Sequence, residues 1–305
     1  MPVRSAAPIL RTFHHAQFDA RALADAKAGQ TISVCLPARD EGATVGQIVS
    51  SIRRDLVDDV QLVDEILVVD DHSTDATATV AADAGARVVT AADVLPEHAT
   101  GPGKGAAMWR SLYESEGDIV VWCDADLLEF ESHFVLGLLG PLLMHADIDF
   151  VKGFYDRPST EPNDRGGRVT ELVARPLLAL LFPHLTSIVQ PLGGEYAGRR
   201  ELLEQLPFVE GYGVDIALLI DIAAGFGTDV IAQVDLGTRL HRNRPLDELS
   251  PQATAIMQTT LRRAGRAAPA RSTLVRPGLE PLDILASELP PLAAVPSYAQ
   301  LARGA

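Results

Sequence analysis

Short apolar runs alternate with amphipathic stretches through the first half of the chain, at the spacing of strands and helices. Residues 31–37 (TISVCLP) are rich in β-branched types and end in proline, which predicts a buried strand. Residues 41–56 have helical spacing, with Val45, Ile48, Val49 and Ile52 on one face. Further strands are predicted at 64–70, 87–90, 118–123 and 148–155, with helices at 106–115 and 132–144. An Ala-rich segment at 76–84 and a loop rich in Pro and Gly at 91–105 separate them. Such alternation implies a mostly parallel sheet covered by helices on both faces, with ligands bound beyond the carboxyl ends of the strands. After a polar connection at 156–167, helices are predicted at 169–181, 214–224 and 246–263, a short Gly-flanked segment at 193–197 and a strand at 228–236. The last forty residues, rich in Pro and Ala, read as a packed arm.

The chain has 305 residues, 47% of them hydrophobic, enough for an ordinary globular core. A formal net charge of −15 argues against a general nucleic-acid binder, which needs a basic face for phosphate. A local pocket of Arg, Lys and metal can still take an anionic ligand. Cys35 and Cys123 each lie inside an apolar run and read as reduced core residues. No segment reaches the roughly 18 apolar residues of a membrane span, and residues 1–15 hold no apolar core of a signal peptide. A cytoplasmic protein with no membrane partner is expected.

Candidate chemistry collects after the strands. Asp124-Ala125-Asp126 follows one directly, and carboxylates two apart at a strand end can face one side. There they can hold a divalent ion that also grips a diphosphate; a solvated loop is the plain alternative. In Asp70-Asp71-His72-Ser73-Thr74-Asp75, Ser73, Thr74 or Asp75 can cap the next helix, while a carboxylate here also suits ribose hydroxyls or a uracil edge. Pro37-Ala38-Arg39-Asp40-Glu41 ends the first strand. Gly101-Pro102-Gly103-Lys104-Gly105 lacks the Ser or Thr of a Walker A loop and starts too late after its strand for a dinucleotide fingerprint. Lys104, at a helix start, therefore reads as a diphosphate contact. Gly166-Gly167-Arg168-Val169-Thr170-Glu171 brings N–H groups, a guanidinium and a hydroxyl to another helix start, suited to phosphate or carboxylate, or equally to an ordinary cap. In His241-Arg242-Asn243-Arg244-Pro245 the imidazole can complete a metal site or lie plainly at the surface.

The first, second and third clusters together resemble the nucleotide-sugar half of the GT-A glycosyltransferase superfamily, although Asp40 stands where Asn is usual. Longer strings, GGRVTELVARPLL (166–178), QPLGGEYA (190–197), GYGVDI (211–216) and HRNRPLDEL (241–249), resemble the actinobacterial glucosyl-3-phosphoglycerate synthases. That resemblance implies an α/β, GT-A-type open sheet with a smaller C-terminal acceptor-binding part. On it the chain divides into an N-terminal arm (1–30), a nucleotide-sugar-binding domain (31–155), an acceptor- and metal-completing part (156–265) and a C-terminal arm (266–305). It implies transfer of glucose from UDP-glucose to 3-phosphoglycerate with retention, Mg²⁺ as cofactor with Mn²⁺ as a substitute, and a homodimer. Donor contacts would come from Pro37, Ala38, Arg39, Asp40, Glu41, Asp71, Lys104, Asp124 and Ala125, with Tyr212 and Asp215 at the sugar and Arg239 and Arg244 near the diphosphate. Asp126 and His241 would bind the metal; Gly167, Arg168, Thr170 and Asn243 would bind the acceptor. Catalytic roles fall to Asp126, Lys104, Arg168 and Asp215. Asp215 replaces an expected Glu and Asp71 a frequent Ser, departures that bear on the donor. GDP-mannose as donor, nucleotidyl transfer and non-catalytic nucleotide-sugar binding are the competing readings.

Overall fold

A computed structural model describes residues 10–98, 102–156, 167–238 and 246–301 of the chain. The strands are β1 (Arg11–His14), β2 (Ile32–Ala38), β3 (Glu65–Asp70), β4 (Arg87–Thr90), β5 (Ile119–Trp122), β6 (Phe150–Asp156), β7 (Tyr196–Arg199), β8 (Phe208–Val209), β9 (Ile231–Thr238), β10 (Arg271–Arg276), β11 (Leu279–Leu285) and β12 (Glu288–Leu289). The α-helices are α1 (Ala20–Ala26), α2 (Val45–Ile52), α3 (Thr77–Asp83), α4 (Lys104–Glu114), α5 (His133–Met144), α6 (Arg175–Leu181), α7 (Arg200–Leu203), α8 (Val214–Gly225), α9 (Leu246–Arg263) and α10 (Pro296–Leu301).

Eight strands form one sheet in the order β1-β9-β6-β7-β5-β2-β3-β4. All its pairings are parallel except those of β7, which runs against both β5 and β6. Alternate residues of the central strands feed two cores, which is why these strands read as unbroken apolar runs. Val34, Leu36, Ile66, Val68 and Val121 join Val45, Ile48, Val49, Phe134 and Leu138 of α2 and α5 on one face. Cys35, Leu67, Val69, Val120 and Trp122 join Trp109, Leu112, Val214 and Leu218 of α4 and α8 on the other. The α/β reading and the mostly parallel sheet hold.

Several expectations are corrected. The helix expected over 41–56 is α2 followed by a π-helical turn, Arg53–Asp59. It starts late because Asp40 takes a left-handed φ of 55° and the Glu41 N–H is bonded to the Thr77 hydroxyl at 2.8 Å. The first part of the helix expected over 169–181 is likewise π-helical, at Thr170–Ala174. Residues 11–14 of the expected N-terminal arm are an edge strand of the main sheet. The expected C-terminal arm is a β10–β11 hairpin, followed by β12, which pairs with β8. Half-exposed alternation in that hairpin gave no apolar run to detect; its turn lies at Pro277-Gly278, where Gly278 has φ 74°.

The start of α4 is pressed against the end of β8. The Ala106 N–H donates to the Glu210 carbonyl at 2.9 Å, and a Cβ on Gly105 would run into the Val209 carbonyl. Backbone cannot yield there as a side-chain tip would. Gly105→Ala is expected to lose about 1–3 kcal/mol of stability in urea denaturation; a change under about 0.5 kcal/mol would show the contact to be slack.

Candidate active site

Because β2 lies between β3 and β5, with Ala38 opposite Asp70 and Cys35 opposite Trp122, the loops leaving these strands emerge side by side. Hydrogen bonds then knit them together. The Asp40 carboxylate accepts from the Thr74 N–H at 2.7 Å and hydroxyl at 3.1 Å, and the Asp40 N–H donates to Ser73 Oγ at 3.0 Å. Asp75 accepts from the N–H groups of Gly42 and Thr77 and from the Thr77 hydroxyl, and these bonds hold its pKa below the usual carboxylate range. Thr44 Oγ1 donates to the Ala125 carbonyl at 2.6 Å and so fixes the Asp124–Asp126 turn. Buried Asp71 accepts from the Gly103 N–H at 2.8 Å, tethering the Gly-rich loop.

Those loops open onto a cleft of about 690 Å³. At its floor, Lys104, the first residue of α4, places Nζ 3.1 Å from Asp124 Oδ1 and 3.2 Å from Asp215 Oδ1. Burial opposes the lysine's charge, but Asp124 and Asp215 outweigh it and raise the pKa above the ordinary value. It is a fixed cation. Asp215, in the first turn of α8, also accepts from the Tyr196 hydroxyl at 3.0 Å. Burial, then the charge of Asp215, raises the Tyr196 pKa, so the phenol stays a donor. Gly194 abuts Asp124: a Cβ there would strike the carboxylate.

Of the residues expected at the site, Pro37, Ala38, Arg39, Glu41, Asp71, Lys104, Asp124, Ala125, Asp126, Gly167, Arg168, Thr170, Tyr212 and Asp215 all line this one cleft. Asp40 does not line it; its carboxylate is spent on Thr74. Arg239, His241, Asn243 and Arg244 lie outside the described residues. Among the described residues no three His, Cys, Asp or Glu side chains are grouped to hold a metal. Sequence reasoning missed Leu192, Gly194, Glu210 and the stretch 282–285 of β11, all of which face the cleft. The Gly193-Gly194 doublet before a strand was the available signal for the first two; the hairpin offered none.

Comparison with known proteins bears on the family and the fold. Residues 33–207 match the profile of glycosyl transferase family 2. The chain is 42% identical over 308 residues to the glucosyl-3-phosphoglycerate synthase of Petrotoga mobilis, covering 94% of this chain and 95% of that one. To the Mycobacterium tuberculosis enzyme of the same name it is 51% identical over 267 residues, covering 85% and 82%. A crystal structure of that mycobacterial protein with Mn²⁺, UDP-glucose and phosphoglyceric acid superposes with a TM-score of 0.85 at 47% identity, covering 93% of this chain and 98% of the other. Another, with Mn²⁺, UDP and glucosyl-3-phosphoglycerate, gives 0.81 at 46% identity, covering 93% and 98%. Among the described residues no helix is long and apolar enough to cross a membrane.

Thr44→Val tests the support of the acidic turn. It leaves the buried Ala125 carbonyl without its donor, so a loss of about 1–3 kcal/mol is expected by chemical denaturation. Unchanged stability would mean that the hydroxyl does not hold the turn.

Proposed function

We propose a function from one premise: the chain belongs to glycosyl transferase family 2 and, within it, to the glucosyl-3-phosphoglycerate synthases. It transfers glucose from UDP-glucose to the free hydroxyl of 3-phosphoglycerate, with retention, and releases UDP. The observation that carries this reading is the Lys104 ammonium wedged between Asp124 and Asp215 in a cleft that Arg168 and Thr170 also line. Relatives crystallised with Mn²⁺, UDP-glucose and phosphoglyceric acid support it. A cytoplasmic location and a homodimer belong to the same reading.

The donor set suits a divalent cation. Asp124 and Asp126 lie in the turn that follows β5, lining a cleft able to admit a diphosphate, and Mg²⁺ takes one or two carboxylates with phosphate oxygens and waters. Asp126 would hold the ion, with Asp124 alongside and His241 as the further ligand that the resemblance implies. When bound, it supplies neutralising charge to the diphosphate. Lys104 adds a second positive charge, which Asp124 and Asp215 maintain against the cost of burial. Arg168, the Gly167 backbone and Thr170 hold the acceptor's anionic groups, while Tyr212 and Asp215 orient the sugar. Catalysis is then chiefly positioning and electrostatics.

Both oxygens of Asp215 are engaged, Oδ1 by Tyr196 and Lys104 and Oδ2 by Lys104 at 3.4 Å. A carboxylate so occupied is a poor nucleophile, which favours attack on the leaving group's own face. The bond from the anomeric carbon to the β-phosphate breaks and that to the acceptor hydroxyl forms. The hydroxyl proton passes to a phosphate oxygen of the departing UDP.

A coupled assay for nucleoside-diphosphate release, crossing UDP-glucose and GDP-mannose with 3-phosphoglycerate and glycerate, tests the function. Turnover is expected for UDP-glucose with 3-phosphoglycerate, abolished by EDTA and restored by excess Mg²⁺ or Mn²⁺. Preference for GDP-mannose, or full rate in EDTA, would overturn it. Arg168→Ala should raise KM for 3-phosphoglycerate about tenfold or more, the scale of lost charged hydrogen bonds, with KM for UDP-glucose within about twofold. A shift in the donor KM instead would remove Arg168 from the acceptor side.

A further inference from the structure

Beneath the cleft, and lining none of it, lies a buried pair, Lys152 and Tyr196, at 1% and 0% exposure. They face each other across the antiparallel β6–β7 pairing. The Lys152 ammonium sits 4.0 Å above the centre of the Tyr196 ring and donates to the Gly193 carbonyl at 2.6 Å. Burial lowers the Lys152 pKa to about 8, so its charge persists at neutral pH. A buried ammonium costs stability that a methionine of similar length would not, so packing alone does not account for it. Each of its two contacts leads on to the floor of the cleft. The Tyr196 hydroxyl donates to Asp215, and the Gly193-Gly194 turn carries the bare backbone against which Asp124 rests.

We propose that Tyr196 and Lys152 are positioning residues for the transfer: Tyr196 fixes the carboxylate of Asp215 at the sugar, and Lys152 fixes both the Tyr196 ring and the Gly193-Gly194 turn. The assignment rests on the glucosyltransferase reading above. Lys104 is steered from both sides by it, because Asp124 and Asp215 are its two partners. The ring alone has a packing role, with Trp122 and Phe150 each at 5.6 Å between centroids. The hydroxyl serves the site; its other neighbour, Met108 Sδ at 3.1 Å, is a weak acceptor.

Tyr196→Phe separates the two roles, since it keeps the ring, its stacking and the Lys152 contact. Its kcat/KM for UDP-glucose is expected to fall about tenfold, the scale of one hydrogen bond to a charged group. Affinity for UDP by titration calorimetry should stay within about twofold, as should KM for 3-phosphoglycerate, because of the substrates Asp215 meets only the sugar, and Lys104 keeps both its carboxylate partners in this variant. Lys152→Met is expected to lower kcat by a similar factor while the thermal midpoint stays level or rises. Tyr196→Phe with wild-type kcat/KM, or with UDP and UDP-glucose binding weakened equally, would overturn the assignment of Tyr196. Lys152→Met with a lower midpoint and unchanged kcat would overturn that of Lys152. A wild-type enzyme inactive on UDP-glucose and 3-phosphoglycerate would bring down the parent reading and this one together, a result visible before any variant is made.

Discussion

Two aspartates 91 positions apart in the sequence, Asp124 and Asp215, meet on a single ammonium, and the cleft is organised around that meeting. Carboxylates brought this close in a partly desolvated place repel each other unless a cation lies between them. Lys104 removes that conflict and ties together the end of β5 and the first turns of α4 and α8. Its own burial would weaken its charge were the partners absent. The ammonium is thus held in its charged form by its two partners, and it stands in the site before any substrate arrives.

Backbone contacts deliver Lys104 to that point. The Asp71 carboxylate holds the Gly103 N–H, and the Glu210 carbonyl holds the Ala106 N–H, so the first turn of α4 is clamped from both sides. The chain is acidic, at −15 overall, and so is the cleft. Arg39, Lys104 and Arg168 line it, but so do Glu41, Asp71, Asp124, Asp126, Glu210, Asp215 and Asp283. A diphosphate there needs a divalent cation beside the three basic side chains. Net charge argued against a general nucleic-acid binder at the level of the whole chain; it had no bearing on a small doubly charged ligand.

What was legible in the sequence follows from which signals are local. The central strands, buried on both faces, leave continuous apolar runs, and polar residues after them mark the ligand edge. Asp40 shows the limit of motif position: it stands in the right loop, but a left-handed φ aims its carboxylate at Thr74. The hairpin at the C-terminal end is a half-exposed ribbon, and nothing local announces that its second strand borders the cleft. Lys152 was invisible for a related reason, and Tyr196 stood within the 190–197 string with nothing to mark its role. A lysine inside an apolar strand reads as a surface residue, and only the β6–β7 register reveals its aromatic partner.

That register also explains how the interior reaches the chemistry. β7 alone reverses direction among the strands of the main sheet, so its first residue, Tyr196, lies beside Trp122, the last residue of β5. A parallel strand in that place would begin at the opposite edge of the sheet, far from the ligands. Reversal instead leads residues 193–195 in across the carboxyl end of β5, where Gly194 has no side chain to collide with Asp124. The same reversal turns the Tyr196 hydroxyl toward α8 and Asp215. One antiparallel strand in a parallel sheet thereby supplies both the bare backbone and the buried donor that the two aspartates need.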